Sequence, residues 1–291
     1  MSKRTKTSKK NELEQISLQS LLLDNWKLVA TSIFKWSGFQ SDFISDEIER
    51  RLYEDGSVVF FVDKEDGVQK VLRYAQQGKL NVYGIPTKWT VIGLNGYSKN
   101  LDDTNSVLIW NNKFRKPTLP YVKYIVANLV NIDQAIKVNV NAIKTPFIFE
   151  GDEKQLLTFK NMYRDISNNE PVLYLASKAN LDNTFKAHNT GVEYQGKNLT
   201  ELYDAYQSRL LTFLGLKSVK SDKKERLVVD EANQNEEFKN IFFASQYDMR
   251  KQACKLINEM YGLSVDVEIN PLLREEKENN GKLHNDNSGN D

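Results

Sequence analysis

Residues 213–236 read Phe-Leu-Gly-Leu-Lys-Ser-Val-Lys-Ser-Asp-Lys-Lys-Glu-Arg-Leu-Val-Val-Asp-Glu-Ala-Asn-Gln-Asn-Glu, and they are the most informative stretch of this chain. Between positions 217 and 226, five cations face two acids, which leaves a local net charge of +3. The cations are Lys217, Lys220, Lys223, Lys224 and Arg226. Neither helical nor strand periodicity is present, so the residues predict a charged loop across 217–236. By composition alone, such a loop is usually just a solvated surface.

Long helices are predicted on both sides of this loop. Upstream, apolar residues from Leu202 to Phe213 recur at helical spacing and predict a helix over 199–216. Downstream, a helix is predicted from Glu237 to Tyr261, ended by Gly262 and followed by a strand at 265–269. A further helix is predicted across 117–146, where about 25 helical residues would span about 38 Å.

The remaining segments predict an α+β chain that is mainly helical. A helix is expected from Ile16 to Trp36, and a β-rich region over 56–116 with strands at 58–62, 79–83, 89–92 and 107–110. Residues 147–192 predict a small α/β insert with a helix near 155–165, a strand at 172–175 and His188 in a surface loop. The tail 271–291 and the arm 1–14 are expected to be disordered. The arm carries the cations Lys3, Arg4, Lys6, Lys9 and Lys10.

Catalytic and metal-binding patterns fail in this sequence. The two histidines, His188 and His284, stand far from any partner at metal spacing, and Cys254 is the single cysteine. Cys254 is therefore expected to be a buried thiol in a reducing compartment. No catalytic residue, metal or cofactor is predicted. No signal peptide is expected, and no apolar run is long enough to cross a membrane.

One segment imitates a phosphate-binding loop. Gly191–Asn198 has glycines and Lys197 near the spacing of a P-loop. However, Asn198 stands where a Ser or Thr would bind magnesium, and the preceding residues do not form an apolar strand. A nucleotide hydrolase built on this segment is therefore a remote hypothesis.

The overall charge limits how the chain can contact nucleic acid. Lys and Arg number 40 and Asp and Glu number 39, for a formal net charge of +1. Domains that grip DNA by summed attraction are usually far more basic. Any contact with nucleic acid must therefore be local or weak.

Three blocks of the sequence resemble the portal proteins of small podoviruses, of the Picovirinae type, which are also called head–tail connectors or upper collar proteins. The first block is Phe213-Leu214-Gly215 followed by Lys223–Arg226 and Asp230-Glu231. The second is Asn139–Pro146 and the third is Ala253–Leu263. The resemblance covers most of residues 15–270, closely in these blocks and loosely across 56–116.

The resemblance implies a phage portal fold, assembled as a dodecameric ring at one capsid vertex. It implies two stem helices (117–146 and 193–216), a wing with an SH3-like β-rich part (15–116), a clip (147–192) and a crown (237–270). The implied function is a structural channel for packaging and ejecting double-stranded DNA. Implied partners are capsid protein, lower collar and tail proteins, the packaging ATPase and, in some members, packaging RNA. The implied location is the virion, with the host cytoplasm during assembly.

The resemblance also implies roles for individual cations. The loop 217–236 would be the tunnel loop that projects toward DNA, and Lys186 and Lys197 would belong to lysine rings of the channel. The basic arm resembles the basic N-terminus that contacts packaging RNA in some members. A near-neutral subunit suits a channel, because DNA slides only where few phosphates are neutralised at once.

A second hypothesis from another class remains open on the sequence. A monomeric nucleic-acid-binding adaptor could use the basic arm and the loop at 217–226. It predicts tight, salt-sensitive binding by the monomer, whereas the portal hypothesis predicts a closed ring of about twelve copies.

Overall fold

The computed structural model describes residues 2–144, 147–150, 186–189, 191–216 and 229–271. It divides into a larger unit, Met1–Val126 with Leu210–Asp291, and a smaller unit, Ala127–Arg209. The predictions for the helix at 155–165, the strand at 172–175, the first part of the tunnel loop and the tail from 272 lie outside the described residues.

The larger unit begins with helix α1 (Ser2–Thr31), strand β1 (Phe34–Ser37) and helix α2 (Asp42–Glu54). The expectation of a disordered arm over 1–14 differs from this structure, in which α1 begins at Ser2. No Gly or Pro interrupts this stretch, so nothing in it stops a helix. The predicted helix also ended too late, because Trp36 lies in β1. That strand pairs with β9 (Asp266–Ile269), more than 200 residues away in sequence, with Phe34 opposite Ile269.

A five-stranded antiparallel sheet follows α2. Its strands are β2 (Ser57–Val62), β3 (Gln69–Leu80), β4 (Pro86–Ile92), β5 (Ser98–Asp102) and β6 (Val107–Trp110), in the order β5-β4-β3-β2-β6. Strand β3 pairs with β2 through its first residues and with β4 through the rest. Sequence prediction found β2, β4 and β6 but missed β5 and most of β3. Both missed strands are rich in polar residues, because one face of the sheet is exposed.

The core of this sheet is a compact apolar cluster. Val59, Phe61, Trp89, Val91 and Leu101 are all buried. The indole nitrogen of Trp89 donates to the hydroxyl of Ser106 at 3.0 Å, so its polar edge is satisfied inside the core. The sheet therefore has an apolar core of its own.

Three further long helices lie in the described part of the chain: α3 (Leu119–Lys144), α4 (Gly196–Phe213) and α5 (Val229–Tyr261). They match the predicted helices closely, with one correction. The predicted loop 217–236 is too long, because α5 already begins at Val229. Asp230 and Glu231, which were predicted in the loop, thus belong to the first turn of this helix.

The smaller unit contains parts of α3 and α4 with a two-stranded antiparallel sheet, β7 (Phe147–Glu150) and β8 (Lys186–Asn189). His188 was predicted in a loop, and this is wrong: it lies in β8, opposite Ile148. Strand pairing across about 40 residues leaves no local sequence signal. The described helices and sheets confirm an α+β fold that is mainly helical.

Candidate subunit and nucleic-acid interface

The structure describes the positions of only some of the cations that were predicted to line a channel. Lys186 is the first residue of β8, and Lys197 is exposed in the first turn of α4. Both belong to the smaller unit. The five cations of the predicted tunnel loop, which are Lys217, Lys220, Lys223, Lys224 and Arg226, lie outside the described residues. The five cations of the arm have their backbone in α1, and the structure describes no more of them.

Asn139 holds the segment that leads into Lys197. Its side-chain amide donates to the carbonyl of Glu193 at 3.0 Å and accepts from the amide of Gln195 at 3.1 Å. The carbonyl of Gln195 then accepts the first helical hydrogen bond of α4, from Leu199. Asn139 therefore ties the start of α4 to α3 and sets where Lys197 emerges. In the sequence, Asn139 was noted only as the first residue of the block Asn139–Pro146, which resembles the portal family.

The segment Gly191–Asn198, which resembles a P-loop in sequence, has a different local structure. Gly196 is the first residue of α4, and the Asn198 amide donates to the Gln195 side chain at 2.8 Å. The amide that replaces the magnesium-binding hydroxyl is thus engaged in holding the helix start. This geometry suits a helix cap better than a nucleotide cradle.

A rigid loop at 111–118, which the sequence reading did not single out, connects β6 to α3. Asn111 and Asn112 are buried, and both side-chain amides donate to the carbonyl of Lys116, at 3.0 and 2.9 Å. Arg115 is held at φ 58°, a region that non-glycine residues rarely adopt. These bonds fix the loop backbone, while the ring of Phe114 remains 78% exposed. The loop thus presents an aromatic side chain among Lys113, Arg115 and Lys116 on a preorganised backbone.

An apolar groove of about 390 Å³ lies beside this loop. We call it the Pro120 groove; its lining residues are Asn112, Phe114, Lys116, Pro117, Pro120, Tyr121, Phe213 and Phe242. The rings of Tyr121 and Phe213 stack at 3.9 Å between centroids, and Phe213 lies 4.5 Å from Phe242. All of these residues belong to the larger unit. The groove therefore has aromatic walls built by α3, α4 and α5.

Among the described residues, Asp63, directly after β2, is the carboxylate whose pKa departs furthest from its usual value. Its side chain is 2% exposed and accepts three hydrogen bonds of 2.6 Å, from Lys70, Lys99 and Tyr97. The hydrogen bond from Lys70, followed by those from Lys99 and Tyr97, holds the pKa of Asp63 well below its usual range. Because its acceptor capacity is used by these partners, the carboxylate is suited to bracing the sheet.

Other reactive groups of the described residues are also structural. Cys254 is buried, as expected, and burial raises the pKa of its thiol to about 12, which leaves it un-ionised and inert. Within the described ranges, no group of three or more metal-ligating side chains is found. No helix in that part of the chain is both long and apolar enough to cross a membrane.

Comparison with known proteins identifies the family of this chain. Residues 19–273 match the sequence model of the Phage Connector (GP10) family. That match covers most of the chain, and the chain belongs to the phage connector family.

Some solved structures show distant likenesses to this chain. A chain of the portal and tail of native bacteriophage P68 is 14% identical, with a TM-score of 0.48 and 98% of each chain covered. An HK97 family phage portal protein from Corynebacterium diphtheriae is 12% identical, with a TM-score of 0.47, and the alignment covers 91% of this chain and 96% of that one. A chain from the virion of a native gene transfer agent particle is 10% identical, with a TM-score of 0.44, covering 96% and 91%. At such low identity and similarity, the family assignment rests on the sequence match.

Proposed function

We propose that this chain is a structural portal subunit that forms a ring, of about twelve copies, at one vertex of a phage capsid. The ring would be the channel through which double-stranded DNA is packaged and ejected. The family match over residues 19–273 carries this proposal, because it spans helices α3, α4 and α5 and the cationic segment between α4 and α5. The chain would have no catalytic role.

A small number of cations would contact the DNA phosphates in the proposed channel. Lys197 is exposed at the start of α4, where a side chain can reach a phosphate without being desolvated. Together with Lys186 and the tunnel-loop cations, it would form sparse cationic rings in a near-neutral channel. Sparse rings keep each contact with DNA weak and sequence-independent, so the duplex can slide.

The proposed partners are those that a portal vertex requires. We propose that the ring contacts capsid protein, a packaging ATPase and lower collar or tail proteins. The basic arm would bind a polyanion, either the packaged DNA or a packaging RNA. The location would be the virion, after assembly in the host cytoplasm, and the phage would be a small podovirus of the Picovirinae type.

The test is the assembly state of the purified full-length protein. Negative-stain microscopy should show rings with a central hole wide enough for duplex DNA, and native mass spectrometry should count the subunits. A particle that stays monomeric at every salt and protein concentration would contradict the proposal. A monomer that binds DNA tightly at low salt would support the adaptor alternative instead.

A further inference from the structure

We infer that neighbouring subunits are joined by the first turns of α2 of one copy docking into the Pro120 groove of the next. This inference rests on the proposed ring and names the surfaces that would hold it together. Phe43 of α2 is the anchor, and Asp42 and Asp46 flank it. Lys116 lines the groove, and Lys123 is exposed one helical turn after Pro120. The occupant is thus a second copy of this chain.

The donor surface is an exposed aromatic side chain between two acids. Phe43 is 72% exposed, although it is a large apolar side chain. Asp42 and Asp46 are also exposed, and they lie one turn apart on the same side of α2. In the described part of the chain, neither acid has a basic partner within an ion-pair distance. The free subunit therefore presents an apolar knob with two negative side chains that form no ion pair among the described residues.

The backbone under this knob is fixed. Ser41 caps α2, and its hydroxyl accepts a hydrogen bond from the amide of Phe43 at 3.2 Å. Just before it, the backbone amide of Gln40 donates to the side-chain oxygen of Gln69 in β3 at 2.9 Å, and the backbone amide of Gln69 donates to the side-chain oxygen of Gln40 at 3.1 Å. A side chain on such a preorganised element loses little conformational freedom when it docks.

The receiving surface has the complementary character. The Pro120 groove has aromatic walls, including the 78% exposed ring of Phe114, and a phenyl ring inserted there could make edge and face contacts with them. Lys116 lines the groove, and Lys123 lies one turn of α3 beyond Pro120. Both lysines are exposed, and no carboxylate partner is found for either within the described ranges. The groove thus combines an apolar floor with uncompensated positive charge.

A closed ring needs two different surfaces on each subunit, because its contacts are head-to-tail. The α2 knob and the Pro120 groove differ in shape and in charge, and each matches the other. The buried aromatic anchor would supply most of the affinity, while the charges would select the register and the partner.

The decisive experiment uses two charge-reversal variants of the full-length chain. Variant one is Asp42→Lys with Asp46→Lys, and variant two is Lys116→Glu with Lys123→Glu. Alone, each variant would meet like charge at every interface and should remain monomeric at concentrations where the wild type forms rings. Mixed in equal amounts, they should form rings again, because the basic knob fits the acidic groove and the acidic knob fits the basic one. Native mass spectrometry should find both variants in equal numbers.

A matched pair of single variants tests the anchor. Phe43→Ala should raise the subunit concentration for half-assembly at least about tenfold, as expected for an interface anchor. Leu94→Ala is the control: Leu94 is 95% exposed on the β4–β5 turn, and its removal should leave assembly unchanged. Circular dichroism of all variants should remain that of the wild type.

The outcomes separate the two proposals. If the wild type itself forms no ring, the proposed function fails. If the wild type forms rings and each charge variant alone still does so, or if their mixture stays monomeric, the docking inference is overturned. It is also overturned if variant two loses DNA binding while its assembly is intact, since the lysines would then serve nucleic acid.

Discussion

Glu49 and Arg250 are 201 positions apart in the chain, yet they form a buried bidentate ion pair with two hydrogen bonds of 2.7 Å. Each side chain is 3% exposed. Trp36 also donates to Glu49, and the Arg250 guanidinium lies 4.2 Å from the centre of the Phe34 ring. Arg250 further donates to the carbonyl of Asn111, at the start of the rigid loop 111–118. This network fastens α5 to β1, α2 and the loop that borders the Pro120 groove.

Removing one partner of this pair should therefore be costly. Glu49→Gln leaves the buried guanidinium without its counter-charge, and we expect the free energy of unfolding to fall by about 3–5 kcal/mol. Urea denaturation followed by circular dichroism measures this. Arg73→Gln is the matched control, because Arg73 pairs with Asp55 on the exposed face, and its loss should cost less than about 1 kcal/mol. Equal effects of the two changes would contradict the role given to the buried pair.

Asp63 makes stability depend on pH in the acid range. Its pKa is held below the ordinary value by Lys70, Lys99 and Tyr97, so the carboxylate stabilises the fold above the unfolded-state pKa of about 4. That contribution is lost as the pH falls below this value toward the folded-state pKa. We expect wild type to be more stable than Asp63→Asn at pH 7 and the difference to shrink as the pH falls below about 4. Thermal unfolding of both proteins across pH 3–7 measures it; a constant difference would contradict the assignment.

One glycine, Gly38, allows two segments of the chain to pack closely against each other. Gly38 follows β1 with φ 84°, and a Cβ built there would lie 2.3 Å from the carbonyl oxygen of Ser264. Only a residue without a Cβ allows the chain before α2 to approach the chain before β9 this closely. At Gly78 in β3, φ is also positive, at 70°, but no atom lies within 4 Å of the Cβ position.

These two glycines make a matched pair for measurement. Gly78→Ala should cost only the backbone strain, about 1–2 kcal/mol. Gly38→Ala adds a collision between backbone atoms and should cost clearly more, with the melting temperature lowered further. Differential scanning calorimetry compares them. If the two changes had the same effect, the close approach of residues 38 and 264 would not be limiting for stability.

At the scale of the whole molecule, the proposed tunnel loop should be separable from assembly of the proposed ring. Because α5 begins at Val229, a deletion that spares the helix must stop before it, and residues 219–226 are suitable. We expect this deletion to leave ring formation intact and to impair retention of packaged DNA, since it removes four of the five loop cations. Microscopy of the ring and quantification of DNA in particles measure the two effects separately. Loss of the ring would mean that the loop is part of the subunit interface.

Much of the helical architecture could be predicted from local pattern alone. Helices α3, α4 and α5 repeat apolar residues every three to four positions, and Gly262 ends α5 as expected. Strands β2, β4 and β6 were found because they carry β-branched and aromatic residues in short runs. Local pattern failed at β5, at much of β3 and at β8, where polar residues are held in strands by their partners rather than by their own preference.

The sequence by itself determined the helix-rich class, the family and the sparse local charge, because these follow from periodicity, residue order and composition. The tertiary structure alone decided that Trp36 lies in a strand, that Arg250 reaches Glu49, and that Phe114, Pro120, Phe213 and Phe242 line one groove. Some of these contacts join residues that are more than 200 positions apart in the sequence. They depend on how the elements pack against one another, and the local sequence around each residue does not determine that packing.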